Sequence, residues 1–240
     1  LAGLTSWSEI ATLSPAEGTA VLLSLKVGVV AALGSLPFGI AVAWVLARRD
    51  FPGKGLLNAL VHLPLVLPPV VTGWLLLIGF GRQGVFGRFF ESMFGLVFSF
   101  RWTGAALAAA VMGFPLMVRA IRLSLENIDG KLEEAARALG APGWFVFASI
   151  TLPLALPGIL AGVILGFAKS IGEFGATITF VANIPGQTQT LATAIFTATQ
   201  DPAGETTTWR LTAIAIVIAV VALLLSEALA GRLTRRDGGA

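Results

Sequence analysis

Lys169 and Glu173 stand four residues apart, a spacing that brings two side chains together on one face of a helix. Two readings of the pair stay open. It is an ion pair that orients a helix end, or a charged border to an anion pathway formed with Phe174 and Gly175. In the second reading Glu173 serves the gate rather than the anion, because a fixed carboxylate repels a dianion. Hydroxyls and amides at Thr72, Thr177, Thr179 and Asn183 could line a polar route, or bond backbone groups inside a bundle. Pro64, Pro68 and Pro69 remove backbone donors and demand a kink or an unwound stretch. No G-x4-G-K-S/T phosphate loop is present, since Gly53-Lys54-Gly55 lacks both the upstream glycine and the hydroxyl, so ATP hydrolysis by this chain is not expected. With Cys absent and His62 the single histidine, no metal centre or bound cofactor is expected. His62 reads as a packing or interfacial residue.

The elements that must carry these residues are set by composition. Only 12% of the 240 residues are charged and 56% are hydrophobic, about half the charge of an ordinary soluble domain. That excludes a soluble enzyme, a disordered chain and a disulfide-stapled domain. The net charge of +3 comes with dispersed basic residues, which argues against nucleic-acid binding. At about 20 apolar residues per crossing, there is room for five or six helices in a lipid bilayer.

Apolar runs place five spans at about 19–47, 57–80, 102–118, 154–170 and 211–229. The first carries Lys26 near one end, where it can snorkel. Residues 1–18 form a terminal segment with no Lys or Arg, and no signal peptide is expected. Residues 81–101 read as an interfacial connection. Residues 174–200 carry no charge, yet are rich in Thr, Gly, Asn and Gln and are divided by Pro185; they read as an outer-side segment, partly re-entrant. With five crossings, the loops at 48–55 and 119–152 share a side with the tail at 231–240. These hold ten Lys and Arg, against four in the opposite loops. The asymmetry places the N-terminus outside and the C-terminus inside. The fold class expected is an all-α integral membrane protein with kinked or broken spans.

One charged loop, about 126–153, has internal order. Leu132, Ala135 or Ala136, and Leu139 recur at helical spacing, with Lys131, Glu134 and Arg137 opposite. Gly140 suits the position just past a helix end, and Pro142 the first turn of another. The spacing predicts a short helix, a sharp turn and a second short helix on the inner surface.

Glu134, Ala135, Ala136, Gly140, Ile150, Leu152 and Pro153 complete the pattern EAA-x3-G-x9-I-x-L-P. It resembles, without mismatch, the EAA loop of permease subunits of bacterial ABC importers, and the resemblance covers most of the chain. Further segments are similar to molybdate permeases: His62 to Val71, Phe114 to Arg122, and Gly172 to Phe180 followed by Asn183-Ile184-Pro185-Gly186. The Gly-Glu-Phe-Gly element is shared with sulfate and tungstate permeases. The resemblance implies the type I importer fold in a bacterial inner membrane, with 19–230 as the permease domain. It implies a second copy of the chain, a cytoplasmic ATPase dimer that holds ATP and Mg, and a periplasmic molybdate-binding protein. Molybdate is then the transported substrate, and the loop around Glu134 docks on the ATPase. Sulfate or tungstate import is the alternative. An ion-coupled secondary carrier using Lys169 and Glu173 is a more distant one, since no inverted repeat is visible.

Overall fold

A computed structural model describes residues 13–237, with side chains described through residue 228. Residues 1–12 and 238–240, parts of the expected terminal segment and tail, lie outside it, as do the side chains of Arg232, Arg235 and Arg236. The described chain is helical: α1 (Pro15–Arg48), α2 (Lys54–Val66), α3 (Pro69–Phe80), α4 (Val85–Phe94), α5 (Trp102–Glu126), α6 (Gly130–Ala138), α7 (Gly143–Val146), α8 (Leu152–Ile171), α9 (Gly175–Val181), α10 (Leu191–Gln200) and α11 (Glu205–Asp237).

Helix α1 begins before the expected span because Ser14 and Glu17 form a reciprocal cap and Pro15 takes the first turn, where its missing N–H costs nothing. Its 34 residues reach about 51 Å, well beyond one hydrocarbon crossing. Helices α1, α5 and α8 pack together as the centre of the molecule. Gly158, Gly162 and Gly166 follow one another at four-residue spacing along α8, and all three face α5. A Cβ at Gly158 would lie 2.2 Å from the Ser124 Cβ, and one at Gly162 3.0 Å from the Met117 carbonyl oxygen. Small residues let the backbones approach, and van der Waals packing then holds helices for which lipid offers no hydrophobic drive.

Among the described residues, four continuous helical units are long and apolar enough to cross a membrane, and the broken pair α2–α3 makes a fifth when counted as one span. This pair occupies the expected second span but bends by 113° at Leu67 and Pro68. Pro64 stays inside α2 without ending it, whereas Pro68 and Pro69 stop one helix and start the next. The helix that carries the expected third span is longer than that span. Helix α5 continues to Glu126, because Met117, Val118, Ile121 and Leu125 keep filling the core while Arg122 pairs with Glu126 at 2.7 Å on the outer face. The second surface helix is also corrected. From Gly143 the chain runs through a π turn at Phe147–Thr151 directly into α8, as one 29-residue unit. The wider turn, in which the Leu152 N–H donates to the Phe147 carbonyl, carries the helix past the donorless Pro153.

Residues 81–101 contain α4, seated on a cluster in which Phe80 meets Phe86, Phe90 and Phe98 with ring centroids 5.1–6.2 Å apart. Residues 174–200 hold two short helices. Helix α9 packs on α3 and α5, and α10 packs on α1 and α11. Neither is long enough to span alone.

Candidate functional site

Residues singled out in the sequence fall into two groups at opposite ends of α8. The first is the surface helix α6. Asp129 caps it by accepting the Lys131 N–H at 3.0 Å. Gly140 ends it in the left-handed region at φ +87°. The Gly140 N–H reaches the Arg137 carbonyl at 2.9 Å and the Ala141 N–H the Ala136 carbonyl at 3.1 Å. This double closure satisfies carbonyls that a helix end leaves open. Glu134, Ala135, Gly140 and Pro153 are exposed, and Ala136, Ile150 and Leu152 are half-buried. The apolar stripe is presented outward, with Leu139 90% and Leu132 50% exposed.

The residue that anchors this helix is Glu133, which the sequence pattern did not single out. It is 7% exposed. Its Oε1 accepts from Thr151 Oγ1 at 2.8 Å and pairs with Arg48 Nη2 at 3.0 Å, while Oε2 faces Arg137 Nη2 at 3.5 Å. Arg48 also donates to the Ile128 carbonyl. One carboxylate therefore ties α6 to the end of α1 and to the π turn that opens α8. The only sequence signal was the four-residue spacing of Glu133 and Arg137.

The second group is a seam between α3 and α9. The backbones nearly touch: a Cβ at Gly73 would lie 2.5 Å from the Ala176 carbonyl oxygen, and one at Gly175 2.8 Å from Pro69 Cβ. Glu173, 2% exposed, pairs through Oε2 with Lys169 Nζ at 3.3 Å. Its Oε1 accepts the Ala176 N–H at 2.9 Å and so caps the first turn of α9. Both carboxylate oxygens are thus committed within the chain. Thr179 Oγ1 donates to the Gly175 carbonyl at 2.8 Å, the backbone-bonding alternative. Thr72 and Thr177 are buried, and Thr72 Oγ1 has no hydrogen-bond partner among the described residues. Phe174 leaves the seam and packs against Phe196 of α10, with centroids 4.9 Å apart and ring planes tilted by 45°.

The other sequence-expected residues lie apart. Pro64 borders an apolar cavity of about 720 Å³ between α1, α2 and α5. Asn183 follows α9 and donates to Thr197 Oγ1 at 2.7 Å, toward α10. His62 Nδ1 donates to the Asn58 carbonyl at 2.8 Å, a local bond within α2. Lys26 sits 3.7 Å over the Trp102 ring, which holds its charge at the helix surface by a cation–π contact. A half-buried pair, Arg210 Nη2 to Glu17 Oε1 at 2.7 Å, joins the start of α11 to the start of α1.

Residues 35–236 match the model of the family described as binding-protein-dependent transport system inner membrane component. The chain is 59% identical over 227 residues to the molybdenum transport system permease protein ModB of Escherichia coli K12, covering 95% of this chain and 99% of that one. It is 57% identical over 222 residues to the ModB of Haemophilus influenzae, covering 92% and 97%. The sulfate transport system permease protein CysT of E. coli K12 is 37% identical, covering 92% of this chain and 78% of that one. Among solved structures, a bacterial ABC transporter for import of the polysaccharide alginate superimposes with a TM-score of 0.70 at 18% identity, covering 98% of this chain and 85% of that one. An inward-facing methionine ABC transporter gives 0.64 at 15% identity, covering 89% and 94%. The helical order, the bent second span and a family match over most of its length converge on one conclusion: this chain belongs to the binding-protein-dependent transport system inner membrane components, with the type I ABC importer permease fold.

Proposed function

We propose that this chain is the permease subunit through which an ABC importer moves molybdate across the bacterial inner membrane. The observation that carries the substrate is the identity of 59% with a molybdenum permease over nearly the whole of both chains, against 37% with a sulfate permease. Two copies enclose the pathway, a periplasmic binding protein delivers the anion, and a cytoplasmic ATPase dimer binds ATP and Mg. The charge asymmetry supports an N-terminus outside and α6 inside. There, the exposed Leu132 and Leu139 on either side of Glu134 and Ala135 suit insertion into a partner's groove. Closure of the ATPase dimer pulls α6. The Glu133 tie passes that movement to α1 and α8 together, and α8 carries it to the seam at Glu173. In this reading Pro64, Pro68, Pro69, Thr72, Lys169, Glu173, Phe174, Gly175, Thr177, Thr179 and Asn183 act in gating and in lining the route. Contacts along a conduit must be weak enough for the ion to leave, which agrees with a carboxylate already occupied by Lys169 and a backbone N–H.

The test is uptake by the reconstituted complex with competing anions. Molybdate should inhibit its own labelled uptake far more strongly than sulfate does. Full uptake that excess molybdate leaves untouched, and sulfate blocks, would transfer the chain to sulfate import. A separate variant tests coupling. Gly140→Asp adds a charge and a side chain at a positive φ on the docking surface, and should abolish ATP-driven uptake while the protein still inserts. Normal uptake would remove α6 from the coupling role.

A further inference from the structure

Where α1 passes out of its apolar stretch, a cavity of about 640 Å³ opens between α1, α6 and the π-turn segment. This lies within the about 300–1,000 Å³ range of small-ligand sites. Its polar end holds Arg48, Arg49 and Arg137 with the single acid Glu133. Glu133 is shared by Arg48 and Arg137, so the cavity keeps a surplus of positive charge. The Arg49 guanidinium carbon lies 5.2 Å from the centroid of the Trp44 ring, with no carboxylate partner among the described residues. Arg48 Nε is buried without a hydrogen-bond partner.

The other end of the cavity is apolar. Ala41 and Trp44 belong to α1 itself, and Ala41 lies seven residues before Arg48, about 10 Å deeper along the helix. Phe147 meets Trp44 edge-on with centroids 6.1 Å apart, and Trp144 is 72% exposed at the rim. A soluble partner can reach the arginines but not the wall at hydrocarbon depth. A molecule with a phosphate at one end and an alkyl chain at the other fits both.

We propose that this cavity binds the phosphate of an anionic phospholipid, with Arg49 and the free edge of Arg48 on the head group and an acyl chain along Ala41 and Trp44. Basic pockets between helices at an anionic leaflet recognise such head groups, and aromatic rings favour the same depth. The lipid bridges α1 and the π-turn segment at the point where Glu133 already ties them to α6. Its presence bears on how firmly α6 is held.

Native mass spectrometry of the permease complex purified together with its ATPase subunit, titrated with phosphatidylglycerol, cardiolipin or phosphatidylcholine, tests this. Wild type should retain the two anionic lipids and release the zwitterionic one. Arg49→Gln should weaken anionic-lipid retention about fivefold, Arg49→Lys should restore most of it, and Arg119→Gln, an exposed arginine outside the cavity, should leave it unchanged. Equal retention of phosphatidylcholine, or equal loss in Arg49→Gln and Arg119→Gln, overturns the proposal. Complete displacement by millimolar inorganic phosphate overturns the lipid assignment in favour of a free-anion site. Lipid retention unchanged in Arg49→Gln, with loss of the co-purified ATPase subunit, gives the arginines to that partner instead. If Arg49→Gln fails to fold, the lipid-class comparison on wild type still decides.

Discussion

Glu133 and Glu173 are the two carboxylates on which the site turns, and each is held by partners from more than one direction. Replacing Glu133 with Gln leaves Arg48, largely buried, and Arg137, mostly exposed, facing a neutral amide. The expected loss is about 1–3 kcal/mol of stability, read as a lower unfolding temperature of the purified protein, together with weaker coupling of ATP hydrolysis to uptake. Unchanged uptake at full ATPase rate would separate Glu133 from transmission. At Glu173 the two roles can be pulled apart. Glu173→Gln keeps an oxygen for the Ala176 N–H but loses the charge opposite Lys169, whereas Glu173→Ala loses both. If capping of α9 dominates, Gln should be tolerated and Ala should cost about 0.5–2 kcal/mol. Comparable damage from both would put the weight on the ion pair. The Lys169–Glu173 pair was legible from spacing alone. Thr151 and Arg48, by contrast, lie 18 and 85 positions from Glu133 in sequence, and no local pattern marks such partners.

At the scale of elements, the glycine face of α8 decides how closely α5 can approach. Gly158→Val puts branched carbons where a first Cβ would already meet Ser124 Cβ at 2.2 Å and the Ala120 carbonyl at 2.8 Å. Neither neighbour is the far end of a flexible side chain, so the helices must separate. A destabilisation of about 1–3 kcal/mol is expected, measured by thermal unfolding in detergent, while Gly172→Val at the exposed end of the same helix should be mild. The long helices contain the hydrophobic runs but outlast them, for a physical reason. Arg119, Arg122 and Glu126 stop an apolar run without stopping a helix, since α5 simply continues past the apolar stretch with its charges paired or facing outward. The same holds at Pro153, where a π turn keeps the helix going through a residue that usually marks a boundary.

For the whole molecule, the bent pair α2–α3 is the feature that a single chain leaves unfinished. Val66 beside the break is 81% exposed and Val70 55%, and Leu67 and Pro68 interrupt the helix. At membrane depth, non-helical backbone persists only against protein or beside water. The second copy proposed above, placed around a central route, would provide both. The chain has no cysteine, so Val66→Cys introduces a single thiol. It should cross-link between copies in membranes, whereas Leu224→Cys on the outward face of α11 should not. The reverse result would place the dimer contact on α11.

Composition and order along the chain were enough to determine the solvent, the presence of long apolar helices and the surface helix with its glycine stop. These depend on hydropathy, charge and short-range backbone closure, all of which are local. Only the tertiary structure decided what the charges do. It joined Glu17 to Arg210 and Ser24 to the Leu191 N–H, pairs 193 and 167 positions apart, bent the second span by 113°, and turned Glu133 into a tie between three helical segments. It also gathered Arg48, Arg49 and Arg137 around one cavity. Those outcomes depend on which helices cross, and a buried charge is fixed by whichever partner the crossing brings within reach.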